Sequence, residues 1–168
     1  MDSLYLEIHA DASFGNVDDK TRSTAGAVII LRGSLGTGSP IYWRSKVIAR
    51  VCKSAKSAET CALEDAIDTA INIGRQVHQL RTGKIEDKSC RIIARTDSKG
   101  LVDTLSTTKQ VDEGRMRLNV YRIKEYQKLK EVDSIKWIPT THMLADALTK
   151  ARADPSRLRK VLETGKME

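Results

Sequence analysis

The sequence predicts an α/β domain built on a mixed β-sheet, and three observations support this prediction. Three strand-like segments lie within residues 1–48 and are joined by short, turn-like connections, which favours antiparallel pairing. After residue 57 the apolar residues recur every three or four positions, which is typical of an amphipathic helix. Further along the chain, strand-like and helical segments alternate, which favours parallel strands with helices on the faces of the sheet.

The strand-like segments are short apolar runs bounded by turn-forming residues. The first alternates apolar and polar residues with a period of two, as expected for a strand with one buried face. Turn-like residues at 13–19 follow it, and a glycine- and serine-rich turn at 33–40 separates the second strand from the third. The five predicted strands are 4–11, 24–32, 41–48, 90–96 and 135–139.

The helical segments differ in length. We expect the first to have Ser57 as its N-cap and apolar positions through Gly74. A short helix capped by Asp97 or Ser98 follows the fourth strand and ends near Leu105. The remaining predicted helices are 113–130, 143–153 and 155–162. The apolar positions expected in the helix at 113–130 are Met116, Val120, Ile123 and Leu129.

The composition is that of a soluble globular protein, with 40% hydrophobic and 30% charged residues in 168. This length predicts one domain with its own core. The longest apolar stretch, at 27–31, is far too short to span a bilayer, so we expect no membrane association. No charged-then-apolar leader opens the sequence, and the three cysteines form no C-x-x-C pair. We therefore expect a protein of the reducing cytoplasm or nucleus, not secreted, without a zinc site or a disulfide framework.

The charge balance favours a polyanionic partner. The net charge is +7 and the isoelectric point is about 9.4. A basic soluble protein without such a partner is an equally good interpretation of the charge alone. Aromatic residues make up only 4% of the chain, which argues against a single-strand binder that stacks bases on exposed rings. If the partner is a nucleic acid, we expect contacts to its backbone.

Four acidic residues lie where the local pattern favours another residue type. Asp11 follows the alternating first strand, Glu59 shares a helical face with apolar residues, Asp97 ends the fourth strand and Asp146 lies between two alanines. Singly, each has a structural interpretation as a turn residue, a first-turn acid or a helix cap. Together they would place four charges at the edge of a core, which is costly without a compensating cation. The pattern therefore suggests a divalent-metal site.

Four segments resemble, in order, the four sequence blocks of a ribonuclease H domain. They read H-A-D-A-S-F-G, S-A-E-T-C-A-L, R-T-D-S-K-G-L and W-I-P-T-T-H-M-L-A-D-A-L-T-K. The ending A-D-A-L-T-K looks most like the domain that terminates the polyprotein of copia-type LTR retrotransposons. The resemblance covers roughly residues 3–152 and implies a ribonuclease H-like fold, with a five-stranded mixed sheet of order 3-2-1-4-5 and helices on both faces. We therefore expect a domain at 1–154 and a helical tail at 155–168, for which we predict no function.

The resemblance implies a two-metal-ion endonuclease that hydrolyses the RNA strand of RNA–DNA hybrids, leaving a 5′-phosphate and a 3′-hydroxyl. Two Mg²⁺ ions, or Mn²⁺ in their place, would be bridged by Asp11, and Glu59 and Asp97 would complete the inner coordination. Asp146 would bind the ion that activates water, and Glu59 would also contact the ribose 2′-hydroxyl. The implied partner is the reverse transcriptase domain of the same polyprotein, in a cytoplasmic retroelement particle or in the nucleus.

Further candidate residues are less well defined. The histidine-bearing loop of cellular ribonucleases H has no counterpart here, and His142 either assists proton transfer or product release or has no role. Arg115 and Arg117 are candidates for binding DNA-strand phosphates, although a solvated helix face is an equal alternative. Ser98 and Lys99, which follow Asp97, are candidates for further nucleic-acid contacts.

Two alternatives keep the same fold. A catalytically silent connector or nucleic-acid scaffold would be expected to have lost acidic residues, whereas all four are present here. Integrase-like and resolvase-like nucleases share the opening three strands but lack the S-A-E-T block at the start of the first helix.

Overall fold

The strands form one mixed sheet in the computed structural model, which describes residues 4–87 and 90–167. Within these residues there are five strands, in the spatial order β3-β2-β1-β4-β5. The pairs β1–β2 and β2–β3 are antiparallel, whereas β1–β4 and β4–β5 are parallel. The predicted order is therefore confirmed. The strands are β1 (Tyr5–Val17), β2 (Arg22–Arg32), β3 (Gly38–Val47), β4 (Arg91–Thr96) and β5 (Ser134–Trp137).

The predicted domain and the predicted tail each include residues that the structure does not describe. Residues 1–3 of the predicted domain and residue 168 of the predicted tail lie outside the described residues.

The first strand is longer than predicted. The residues at 13–17, expected to form a turn, continue β1 with an irregular register between Ser13 and Val17. The turn itself lies at 18–20, where three successive residues have positive φ angles of 49°, 53° and 67°. Two of the three are aspartates, which tolerate this region better than most residues.

The helices pack on both faces of the sheet, as predicted. Leu6, Ile8 and Ala10 of β1 face the long helix, whereas Val28 and Ile30 of β2 pack against the C-terminal helices. None of the helices in the described residues is long and apolar enough to cross a bilayer. The helices are α1 (Ala55–Thr82), α2 (Lys99–Ser106), α3 (Gly114–Lys128), α4 (Asp146–Thr149) and α5 (Ser156–Thr164), with a turn of 3₁₀ helix at Thr140–His142.

Two details of the helix predictions are wrong. Ser54, not Ser57, caps α1, because the Ser54 side chain accepts a hydrogen bond of 3.1 Å from the Ser57 amide. In α3 the fourth buried apolar position is Tyr126, whereas Leu129 lies just beyond the helix and is 62% exposed. At 100° per residue, Leu129 also lies well away from the helical face that Met116, Val120 and Ile123 bury.

The predicted helix at 143–153 is only the four residues of α4. Met143, Leu144 and Ala145 precede it in a non-helical segment that is buried against β2. The chain leaves the helix at Lys150, whose φ and ψ of −125° and 118° are extended. Tertiary packing of this apolar segment on the sheet has overridden its helical periodicity.

The predicted tail contributes to the sheet's second face. Leu158 and Val161 of α5 are buried in the cluster that contains Val28 and Ile30. Beyond α5, Gly165 accepts a hydrogen bond of 2.8 Å from the amide of Gly38, and residue 166 forms a β-bridge to residue 37. The tail thus pairs with the beginning of β3 at the edge of the sheet.

Candidate metal centre

Three carboxylates converge beside the inner strands β1 and β4, close to the point where β4 ends. One oxygen from each of Asp11, Asp97 and Asp146 lies within 4.8 Å of the other two. Parallel pairing of β1 with β4 brings Asp11, in the middle of β1, level with Asp97, which directly follows β4, because His9 pairs with Arg95. The third carboxylate, that of Asp146, belongs to the first residue of α4.

Close packing of α4 on β2 delivers Asp146 to the site. Gly26, the β2 residue opposite Asp11, has no side chain to separate the two elements. A Cβ atom at Gly26 would lie 2.7 Å from Cγ2 of Thr149 and 3.1 Å from the carbonyl oxygen of Ala145. A larger residue would therefore force α4 away from the sheet.

Asp11 is fully buried, and only one of its two carboxylate oxygens is hydrogen-bonded within the described residues. Its Oδ2 accepts a hydrogen bond from the hydroxyl of Thr149, whereas its Oδ1 has no hydrogen-bond partner among the described residues. Burial raises the pKa of Asp11 to about 6, with smaller upward contributions from Asp97 and Asp146 and opposing ones from Thr149 and Lys150. The carboxylate is therefore poorly stabilised in its ionised form by the protein alone.

Glu59 lies beside this cluster, in the second turn of α1. Its Oε2 is also buried without a hydrogen-bond partner in the part of the chain that is described. Burial, together with the charges of Asp11 and Asp97, raises the pKa of Glu59 to about 9. The charges of both aspartates thus affect the pKa of Glu59, although Glu59 is not one of the three residues whose oxygens lie within 4.8 Å of one another.

Lys150 supplies a positive charge to the cluster. Its ammonium donates a hydrogen bond to Oδ1 of Asp146, one helical turn earlier, and lies 3.6 Å from Oδ2 of Asp11. Burial alone would lower the pKa of Lys150, but the hydrogen bond to Asp146 and the neighbouring carboxylates raise it. The sequence interpretation assigned no role to this residue. A threonine and a lysine three and four positions after Asp146 were the available signal, because those positions share one helical face.

Asp97 is held by the segment that follows β5. Its Oδ2 accepts a hydrogen bond of 2.8 Å from the hydroxyl of Thr140, and its backbone carbonyl accepts one of 3.0 Å from the indole of Trp137. These contacts fix the carboxylate against the 3₁₀ turn. Thr140, like Thr149, was missed by the sequence interpretation, because its role depends on how two distant segments meet.

Solved structures share this architecture. The N-terminal RNase H domain from Mycobacterium tuberculosis superposes with a TM-score of 0.61 at 19% identity, over 88% of this chain and 91% of that one. LC11-RNase H1, isolated from compost and solved with an RNA/DNA hybrid, gives 0.62 at 17%, over 86% and 93%. A foamy viral protease-reverse transcriptase structure with dsDNA gives 0.58 at 17%, over 88% and 92%.

The chain has the ribonuclease H fold. No protein-family model and no curated protein sequence matches it, so the similarity is one of structure. Within this fold, the acidic cluster lies where β4 ends beside the middle of β1, the strand that pairs antiparallel with β2 and parallel with β4.

The residues of the cluster fit a divalent cation. Within the described residues, Asp11 and Glu59 each keep one buried carboxylate oxygen without a hydrogen bond, which is costly unless a cation is the missing partner. All the donors are carboxylate oxygens, which Mg²⁺ and Mn²⁺ prefer to sulfur or imidazole ligands. Asp11, Glu59, Asp97 and Asp146 are therefore the residues of this ribonuclease H fold that could hold metal.

The other predicted site residues lie outside the acidic cluster. His142 is exposed at the end of the 3₁₀ turn, with Nδ1 3.2 Å from the hydroxyl of Thr141. Ser98 is the N-cap residue of α2, and Lys99 is exposed in its first turn. Arg115 is exposed at the start of α3, beside Lys53 and Val51 in an open cavity of about 480 Å³, and Arg117 is half-buried.

Proposed function

We propose that this protein is a metal-dependent ribonuclease H that cuts the RNA strand of RNA–DNA hybrids during reverse transcription. The observation that carries the proposal is the meeting of three aspartate oxygens within 4.8 Å, on a ribonuclease H fold, beside the unsatisfied oxygen of Glu59. A purely structural cluster of this kind would be expected to have its buried oxygens hydrogen-bonded.

The four carboxylates would hold two Mg²⁺ ions, with Mn²⁺ as a substitute and Asp11 shared between them. Bound divalent cations supply activation of water and neutralisation of charge at the phosphate. Thr149 holds Asp11, and Thr140 holds Asp97, so both carboxylates are oriented before metal arrives. Such preorientation lowers the cost of assembling a site from separate elements.

Selection of the RNA strand requires a contact to the ribose 2′-hydroxyl. We assign this contact to Glu59, which lies at the edge of the cluster and has a free carboxylate oxygen. Cleavage would leave a 5′-phosphate and a 3′-hydroxyl.

Hybrid binding would use backbone contacts from a chain with a net charge of +7. We assign these contacts to Arg115 and Arg117 on α3 and to Ser98 and Lys99 at the start of α2. Only three of these assigned residues are basic, so we propose that a reverse transcriptase domain of the same polyprotein helps to hold the hybrid. The A-D-A-L-T-K ending supports an origin in a copia-type LTR retrotransposon, with activity in a retroelement particle in the cytoplasm or in the nucleus.

Cleavage of an end-labelled RNA–DNA hybrid tests the proposal. With Mg²⁺ or Mn²⁺ we expect cutting of the RNA strand only, and chelator or the substitution Asp97→Asn should abolish it. Asp103→Asn is the matched control, because it removes one exposed carboxylate on α2 without touching the cluster. Hybrid bound in a salt-sensitive way but never cut would instead identify a catalytically silent scaffold.

A further inference from the structure

A second cavity lies on the face of the sheet that carries α5, next to the acidic cluster. Its volume is about 360 Å³. The floor is formed by Glu7 and His9 of β1, which are buried. His9 precedes Asp11 by two residues on the same face of β1, a spacing of about 6.6 Å along a strand. The cavity is thus a neighbour of the acidic cluster but is lined by different side chains.

Three guanidinium groups from three elements converge on this cavity. Arg32 comes from the end of β2, Arg95 from β4 and Arg157 from α5. Glu7 is the one acid among the described lining residues, so with neutral histidines the lining has a net charge of 3 − 1 = +2. Like charges are rarely gathered around one space unless an anion joins them.

Among the described residues, acceptors are found for part of the Arg95 and Arg157 guanidinium groups, but one N–H of Arg32 has none. Arg95 lies 3.6 Å from Oε1 of Glu7, which already interacts with His9 at 3.1 Å. Arg157 donates a hydrogen bond of 3.1 Å to the carbonyl of Met167. The Nε of Arg32 is buried and has no hydrogen-bond partner in the described residues. A buried N–H without an acceptor is uncommon and points to a missing oxygen ligand.

Two of the three arginines, Arg95 and Arg32, act on the carboxylate of Glu7, whereas Arg157 acts on the neighbouring His9. Burial alone would raise the pKa of Glu7, but His9, Arg95 and Arg32 hold it below its usual value. The carboxylate is therefore ionised at neutral pH, and it offsets one of the three positive charges. The remaining excess favours an oxyanion that can accept several N–H groups at once.

The other walls are less polar. Tyr5, Ile138 and Met167 also line the cavity. A volume of about 360 Å³ lies at the lower end of the range for small-molecule sites. A phosphate group on the guanidinium groups would leave room for an attached ribose or base against these walls.

We propose that this cavity is a phosphate-binding site, distinct from the carboxylate cluster, that takes the phosphate of a nucleotide. Arg32 and Arg157 are its principal donors, because Arg95 is partly occupied by Glu7. The phosphate has two sources, a free mononucleotide or a nucleic-acid strand that runs past the acidic cluster. The proposal does not require cleavage by the carboxylates.

Calorimetric titration of the full chain in chelator, at constant ionic strength, tests this site. The probes are inorganic phosphate, adenosine 5′-monophosphate and a short single-stranded DNA with a 5′-phosphate. We expect saturable binding that Arg32→Gln and Arg157→Gln each weaken by roughly tenfold or more. Arg159→Gln is the matched control, because Arg159 is exposed on the same helix as Arg157, and it should bind like the wild type.

The three probes separate the sources of phosphate. Tighter binding of the mononucleotide than of inorganic phosphate supports a nucleotide site, and binding of the DNA alone supports a strand phosphate. Amide chemical shifts of Glu7, Arg95 and His142 should move on titration, and the same spectra report whether each variant is folded. The proposal is overturned if folded wild-type protein binds none of the probes, or if Arg159→Gln weakens binding as much as the cavity variants do.

Discussion

The ammonium of Lys150 lies 3.6 Å from the buried carboxylate of Asp11. Through this contact, and the hydrogen bond to Asp146, the chain places its own cation among the carboxylates. Lys150 remains 40% exposed, so it can leave the cluster without unfolding α4. A divalent ion that binds these carboxylates must compete with the lysine, and this competition can be measured.

We expect Lys150→Met to lower the Tm of the metal-free protein and to increase the rise in Tm that Mg²⁺ causes. Without the ammonium, the carboxylates repel one another, at a cost of about 1 kcal/mol after solvent screening. This corresponds to a fall in Tm of roughly 2–4 °C for a domain of this size. Thermal unfolding with and without Mg²⁺ measures both effects. Lys128→Met, an exposed change on α3, serves as the control, and an unchanged Mg²⁺ response in Lys150→Met would show that the lysine does not compete.

The stability of the metal-free protein should fall as the pH rises, because of Glu59. Its pKa is about 9 in the folded state and 4.5 ordinarily, so the folded state keeps a proton that the unfolded state has lost. The unfolded state then binds fewer protons between about pH 4.5 and pH 9, and the free energy of unfolding declines across that window. Asp11 also lowers the free energy of unfolding as the pH rises, between its ordinary pKa of 3.8 and its folded-state pKa of about 6.

Glu59→Gln should flatten this dependence in chelator and raise the Tm at pH 8 by a few degrees. Denaturant unfolding at pH 5 and pH 8 gives the comparison, with Glu163→Gln on the exposed face of α5 as the matched control. A wild type and a Glu59→Gln variant with parallel pH profiles would refute the assignment.

Thr149→Val should destabilise the site while preserving the shape of the side chain. The substitution removes the hydroxyl that donates to Asp11, and the loss of such a bond costs about 1–2 kcal/mol. Because Thr149 lowers the pKa of Asp11, the loss should be greatest above about pH 6, where the carboxylate is ionised. Thr149→Ser keeps the donor and should retain most of the stability. Equal unfolding free energies for the valine and serine variants would argue against the hydrogen bond.

Gly26→Ala should displace α4 and reduce metal binding. The added Cβ would lie 2.7 Å from Thr149, and overpacking of this kind costs about 1–3 kcal/mol. We expect a lower Tm and a weaker Mg²⁺ response than in the wild type. Gly100→Ala in α2 is the control, because its Cβ would be 3.8 Å from Lys56 and alanine favours helices. A Gly26→Ala protein with wild-type stability would show that α4 adjusts freely.

The sequence predicted the sheet because its periodicity is local information. Alternation in β1 correctly predicted a strand with Leu6 and Ile8 in the core, but the expected single buried face was wrong, because every residue from Leu6 to Ala12 is buried. The four acids could be identified because each conflicts with its own surroundings. Their convergence could be expected only through resemblance, since no local pattern specifies which strand ends meet.

The interactions around the carboxylates could not be predicted in the same way. Thr140 reaches Asp97 across 43 positions of sequence, and Thr149 reaches Asp11 across 138. The second contact follows the segment at 143–145, which packs on β2 where the helical pattern was misleading. The cavity beside Arg32 is a further example, because its three arginines come from elements that are far apart in the chain.

The contact between the tail and the β3 edge has a consequence for the order of folding. The hydrogen bond from Gly38 to Gly165, and the β-bridge beside it, join segments that are far apart in the sequence. Contacts between distant segments require the largest loss of chain entropy, so they tend to form late. The beginning of the edge strand should therefore stay open to pairing with other chains until α5 has docked. Docking of α5 would then remove one site at which a folding intermediate can aggregate.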